Sequence, residues 1–173
     1  MIATRARATT SSSWATLKQL WQELAAAVAA HPAKPTRRRL NLAPDAPRDK
    51  TGRYHLHGIP SERIRSGPIW ELGRRLLQYE HPDLVPTAAQ LNKFRVSDEC
   101  QWHRDEGNEG ESAIAFFNDF AGGGLELEDG RVLADRKTWH RYDGCNTSHR
   151  VLPFPGQRDT FICLLYTSPS PRD

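Results

Sequence analysis

At 173 residues the chain has the size of one domain and enough length to bury a core without disulfide staples. A hydrophobic share of 38% and a mean hydropathy of −0.68 describe a polar chain, and no stretch approaches the roughly 20 apolar residues a spanning helix needs, so no membrane association is expected. Cys100, Cys145 and Cys163 are odd in number and lack CxxC spacing, which argues against a disulfide framework or a cysteine zinc site. An intracellular, reducing compartment is expected, the nucleus or cytoplasm with an organelle left open.

The net charge of +3 conceals an asymmetry. Residues 1–95 carry 16 Lys and Arg against 7 Asp and Glu, a balance of +9, whereas residues 96–173 carry 8 against 14, a balance of −6. A basic front half fits a polyanionic partner such as DNA or RNA, because Lys and Arg neutralise phosphates and release counterions. A solubilising, loosely ordered front half fits the same charge.

Residues 1–13 are rich in Ala, Thr, Ser and Arg and read as a disordered or targeting arm. Residues 14–87 read as a helical and loop extension packing on the core. Trp14, Leu17, Leu20, Trp21, Leu24 and Val28 form an apolar stripe at helical spacing behind a serine run suited to capping. His31-Pro32 ends it, since the residue before proline avoids helical geometry. Pro35 to Pro60 reads as loop and contains Arg37-Arg38-Arg39, the candidate contact to a nucleic-acid backbone. His55 and His57 lack a third metal ligand nearby and read as loop or edge residues. A second helix is predicted over 68–80, with Pro68 in its first turn, Ile69, Leu72, Leu76 and Leu77 as its buried stripe, and His81-Pro82 as its stop.

From Ala88 onward, short runs of β-formers alternate with Gly, Asp and Asn turns. Strands are predicted near 88–96, 100–104, 112–118, 124–128, 131–135, 137–142, 148–153 and 158–166. The resulting class is mostly β with flanking helices, a sandwich or barrel such as a jelly roll.

The chemistry concentrates in His103-Arg104-Asp105, His149 and Arg158. Residues i and i+2 of a strand share a face, so His103 and Asp105 can reach one metal ion, and His149 on a later strand can lie opposite. Two imidazoles and a carboxylate on one face of a metal are the ligand set of non-haem iron(II) oxygenases. Arg158 adds a guanidinium suited to a buried carboxylate, and Thr160, two residues on, a hydroxyl on the same face.

These residues resemble the iron and cosubstrate sites of the 2-oxoglutarate-dependent dioxygenases. The string Asn92-Lys93-Phe94, His103-Arg104-Asp105 with Asn108, Asp119-Phe120 with Gly122-Gly123, Trp139, Tyr142-Asp143-Gly144, His149, and Pro153-Phe154 with Gly156 and Arg158 is similar to the TET/JBP-like branch, whose best-known members oxidise methyl groups on DNA bases. The match covers about residues 90–162 and leaves the N-terminal half without a matching motif. It implies a double-stranded β-helix (jelly roll or cupin-like) core over 88–162. It also implies Fe(II) held by His103, Asp105 and His149, and O2 and 2-oxoglutarate as cosubstrates. Arg158 and Thr160 would bind the far carboxylate, with Asn92 and Asn108 as hydrogen-bonding residues near the cosubstrate or the metal ligands. The implied activity is oxidation of a C–H bond, on a nucleic-acid base methyl group or on a protein side chain or small metabolite. A cupin-like barrel that holds metal without turnover is the non-enzymatic alternative.

Other motifs read as structural. Gly122-Gly123-Gly124 is followed by no Lys-Ser/Thr and is expected to turn the chain beneath the site. His140 is expected to face away from the iron, and Ser148 to point opposite to its neighbour His149. Trp139, Tyr142 and Phe154 read as core or barrel-end aromatics. Residues 163–173, Cys163 to Asp173, resemble the translation of a sequencing-library adapter, so the genuine chain is expected to end near Ile162.

Overall fold

The computed structural model describes residues 11–31, 39–42, 54–56, 59–61, 68–94, 101–105, 108, 110–118 and 121–164. Two helices, α1 (Ser11–Ala30) and α2 (Pro68–Glu80), lie against a five-stranded antiparallel sheet. Its strands, in spatial order, are β1 (Arg39–Leu42), β4 (Ala88–Phe94), β10 (Arg158–Leu164), β5 (Ser112–Phe117) and β8 (Trp139–Tyr142). A smaller sheet runs in the order β7 (Val132–Leu133), β6 (Leu125–Leu127) and β9 (His149–Val151), and β2 (Tyr54–Leu56) pairs with β3 (Ile59–Ser61) as a separate hairpin. An isolated antiparallel bridge between His103 and His149 sets residue 103 beside β9, extending the smaller sheet by one position.

Strand alternation sorts the large sheet into two faces. Ala89, Leu91, Ala113, Ala115, Phe117, Trp139, Phe161 and Cys163 face the helices and bury Leu20, Trp21, Leu24 and Val28 of α1 and Trp70, Leu76 and Leu77 of α2. The opposite face contributes Ile114, Phe116 and Tyr142, which pack on Leu125 and Leu127 of the smaller sheet. The molecule is thus helices on a sheet on a second sheet, with the buried polar residues Asn92, Arg158 and Thr160 on the face toward the second sheet. Contact between α2 and β10 is close, because a Cβ added at Gly73 would lie 2.4 Å from the Phe161 ring. The indole of Trp21 ties the helices together by donating to Glu80 Oε1 at 2.7 Å.

Lys93 closes the sheet-facing end of α1. Its Nζ donates to the carbonyls of Val28 at 2.7 Å and His31 at 2.8 Å, where the helix presents its negative end. The same ammonium lies 3.5 Å from Asp159, its cross-strand partner on β10, and both side chains are buried. Gln157 donates to both Asp159 oxygens, so the carboxylate is satisfied on each side.

Several expectations need correcting. The region 35–60 is not all loop: β1 adds to the edge of β4, with Arg39 opposite Asn92, and β2 and β3 pair. These strands are only three or four residues long, and pairing to β4 or to each other, not alternation of their own, makes them strands. Arg37, Arg38 and His57 lie outside the described residues, and nothing describes the side chains of Arg39 and His55. Helix α1 starts at Ser11, so the serine run lies within it, not ahead of it. Trp14 is 60% exposed, because the stripe starts to pack on the core only at the partly buried Leu17 and is fully buried from Leu20. Residues 101–105 form no strand; an isolated bridge at His103 and the bond from Asp105 N to Gly144 O hold the segment. Strand β10, Arg158–Leu164, falls within the strand expected over 158–166 and buries Cys163 and Leu164, and residues 165–173 lie outside the described residues. Among the described residues no helix is long and apolar enough to cross a membrane.

Candidate active site

His103 and His149 are joined backbone to backbone, each amide donating to the other's carbonyl at 3.0 Å. Their rings stand 4.5 Å apart, and the ligand atoms of His103, Asp105 and His149 all lie within 4.8 Å of one another. The structure therefore brings together the three residues singled out from the sequence, although the reason differs for the first two. The His103 bridge and the bond from Asp105 N to Gly144 O at 2.8 Å, not a continuous strand, set their direction.

Each imidazole has its Nδ1 at 3.0 Å from the carbonyl two residues earlier, Gln101 for His103 and Thr147 for His149. With Nδ1 protonated, that contact fixes the ring and leaves Nε2 as the lone pair for a metal. His149 Nε2 lies 3.6 Å from Asp105 Oδ2. Burial holds the His149 imidazole below its ordinary pKa, with His103 pushing the same way and the Thr147 carbonyl and Asp105 opposing. A neutral imidazole is the form that ligates. Tyr142 packs edge-on against His149 at 5.3 Å.

The carboxylate is held by neighbours that the sequence reading placed only loosely. Asn108 Nδ2 donates to Ser112 Oγ at 3.0 Å and lies 3.5 Å from Asp105 Oδ2, which places Asn108 beside the Asp105 carboxylate. Gly144 fits closely: a Cβ there would lie 3.2 Å from Asp105 Oδ2 and 3.0 Å from Tyr142 Cε2. The Tyr142-Asp143-Gly144 motif was the only sequence signal for it.

Arg158 opens β10, is 2% exposed, and points between the sheets. Its Nε donates to Gly123 O at 2.5 Å, and its guanidinium lies over Phe116 and Phe154. Thr160 shares that face with Asn92 directly opposite, and both are buried. Thr160 Oγ1 has no hydrogen-bond partner among the described residues. A buried cation beside a buried hydroxyl with donor capacity to spare fits a carboxylate-bearing ligand, and two imidazoles with a carboxylate fit iron(II).

His140 is corrected in direction. Alternation along β8 puts it on the inner face with Tyr142, edge-on to Phe116, because Trp139 takes the helix-facing side between Trp21 and Phe161. Its Nε2 is 2.9 Å from Asp135 O, and it lies outside the cluster of His103, Asp105 and His149. Ser148 does point away from the site, accepting a bond from Arg104 Nε at 3.1 Å.

Fold and site together define a jelly-roll protein with a two-histidine, one-carboxylate group that runs from the buried His149 to the exposed His103. The chain is similar to a solved Pseudomonas putida prolyl-4-hydroxylase at 16% identity, with 86% of each chain covered and a TM-score of 0.53, which establishes the fold. A 2OG-Fe(II) oxygenase-family protein from Burkholderia pseudomallei matches at 16% identity over 93% of this chain and 81% of its own, with a TM-score of 0.49. NgTET1, solved in complex with 5mC DNA, matches at 17% identity over 56% of this chain, with a TM-score of 0.46, and the chain spans only 40% of its length. No family model and no curated protein sequence matches this chain.

Proposed function

We propose that this protein is an Fe(II)- and 2-oxoglutarate-dependent dioxygenase that oxidises a C–H bond, with iron on His103, Asp105 and His149. The observation that carries this reading is the convergence of those three ligand atoms within 4.8 Å in a jelly roll whose interior holds Arg158 and Thr160. When bound, iron, O2 and 2-oxoglutarate supply the oxidising chemistry, and the cosubstrate leaves as succinate and CO2. The chain's own residues orient and shield. His103 and His149 present Nε2, Asn108 supports the Asp105 carboxylate while the Gly144 carbonyl holds the Asp105 amide, and Arg158 with Thr160 receives the far carboxylate of 2-oxoglutarate. Phe116 and Phe154 keep water from that end.

The finer reading is a methyl group on a nucleic-acid base as the substrate. The order of motifs from Asn92 to Arg158 and the +9 balance of residues 1–95 support it. A base in a duplex must be flipped out or taken single-stranded to reach such a site, at about a few kcal/mol. Arg37, Arg38 and Arg39 are the proposed backbone contacts, so DNA binding should weaken steeply with salt and neutralising all three should flatten the slope.

The test is succinate release by the iron-loaded protein supplied with 5-methylcytosine or thymine DNA, the same RNA bases, or a proline-containing peptide, with mass spectrometry of each product. The peptide arm is included because the Pseudomonas putida protein of this fold is called a prolyl-4-hydroxylase. Oxidised methyl groups on a base would bear out the finer reading, and a hydroxylated peptide would move the substrate to protein. Iron binding without 2-oxoglutarate binding or succinate in any arm would make the chain a metal-holding module.

A further inference from the structure

We infer that the Gly122-Gly123 turn and Pro153-Phe154 form one clasp that positions Arg158 and thereby sets the preference for a 2-oxo acid bearing a second carboxylate. The inference rests on the dioxygenase reading and concerns residues to which that reading gives no role in selectivity.

An arginine side chain carries several rotatable bonds, so a buried guanidinium recognises a carboxylate well only if its plane is fixed beforehand. Here two features fix it. The Gly123 carbonyl accepts from Nε at 2.5 Å, so an incoming carboxylate meets the guanidinium on its terminal nitrogens. The Phe116 and Phe154 ring centroids lie 5.3 Å and 5.9 Å from the guanidinium carbon, within cation–π range.

The carbonyl and the ring belong to one unit. Gly122 and Gly123 have φ of 70° and 63°, a backbone conformation that other residues adopt with strain. A Cβ on Gly122 would lie 2.4 Å from Pro153 O, and Gly123 N donates to that same oxygen at 3.1 Å. The turn that aims the Gly123 carbonyl is therefore stitched to the residue preceding Phe154. Phe116 belongs to the core between the sheets, whereas Phe154 lies outside the strands, so Phe154 is the residue to change.

The experiment uses the full chain with Fe(II) under anaerobic conditions. Visible charge-transfer absorption follows titration with 2-oxoglutarate and, separately, with 2-oxobutyrate, which has the chelating end but no far carboxylate. Phe154→Leu should weaken 2-oxoglutarate about 3- to 30-fold while 2-oxobutyrate and Fe(II) affinities stay put. Phe154→Tyr, which keeps the ring face, should restore wild-type discrimination. Gly122→Ala should erode discrimination in the same direction, and it supplies the test if Phe154→Leu does not fold. Equal weakening of both acids, or an unchanged ratio, would overturn the clasp and leave the dioxygenase reading intact. A wild-type protein that binds neither acid in the presence of Fe(II) would overturn both.

Discussion

His103 and His149 are paired through their backbones before any metal is considered: two reciprocal hydrogen bonds of 3.0 Å hold their rings 4.5 Å apart. The residues are 46 positions apart in the chain, yet each fixes where the other stands. Their burial differs sharply, since His149 is 2% exposed and His103 lies at the surface.

That difference separates function from stability. His103→Ala should abolish iron binding and turnover while the apo-protein unfolds within about 0.5 kcal/mol of wild type, as surface substitutions do. His149→Ala should also abolish iron binding, but it removes a buried ring and should cost the apo-protein about 1–3 kcal/mol. His140→Ala should retain most activity. Anaerobic iron titration with urea denaturation of the apo-protein checks all three, and iron retention in His149→Ala would refute the ligand assignment.

Gly144 is a second point of leverage. In Gly144→Ala the new methyl presses on both the Asp105 carboxylate and the Tyr142 ring, at 3.2 Å and 3.0 Å. Displacing a ligating carboxylate through its support should cost about 10- to 100-fold in iron affinity. Circular dichroism should be unchanged, and iron affinity equal to wild type would show that the carboxylate yields without loss.

Removing Arg158 should leave the far carboxylate of 2-oxoglutarate buried without its cation, at about 3–5 kcal/mol. Arg158→Ala should therefore raise the 2-oxoglutarate requirement about 100- to 5,000-fold with iron affinity nearly unchanged. Arg158→Lys should recover only part of the loss, because an ammonium lacks the planar fork. An unaltered 2-oxoglutarate dependence would assign the role to another residue.

Lys93→Met should destabilise the fold by about 3–5 kcal/mol, since it strands the buried Asp159 carboxylate and uncaps α1. Replacing both partners, Lys93→Met with Asp159→Leu, should recover part of that loss by removing the stranded charge. Urea denaturation of the two variants measures it. A double variant no more stable than the single one would mean that the cap, not the ion pair, carries the effect.

Local chemistry is what the sequence by itself determined. Helix α2 occupies the predicted 68–80 because Pro68 and His81-Pro82 punctuate it and its stripe repeats at helical period. The strands from β4 to β10 are bounded by Gly, Asp and Asn turns, and the candidate metal-binding group His103, Asp105 and His149 is legible from residue type and order. Tertiary structure decided the rest. Strand β1 exists because β4 offers an open edge, and residues 101–105 stand where they do because β9 and Gly144 hold their amides. Lys93 could be read as a motif residue, but not as the cap of a helix 65 positions away. Nor could spacing along the chain show that Gly123 and Phe154 meet on Arg158. Such contacts depend on which backbone groups and faces the folded sheets bring together, and that is a property of the packing.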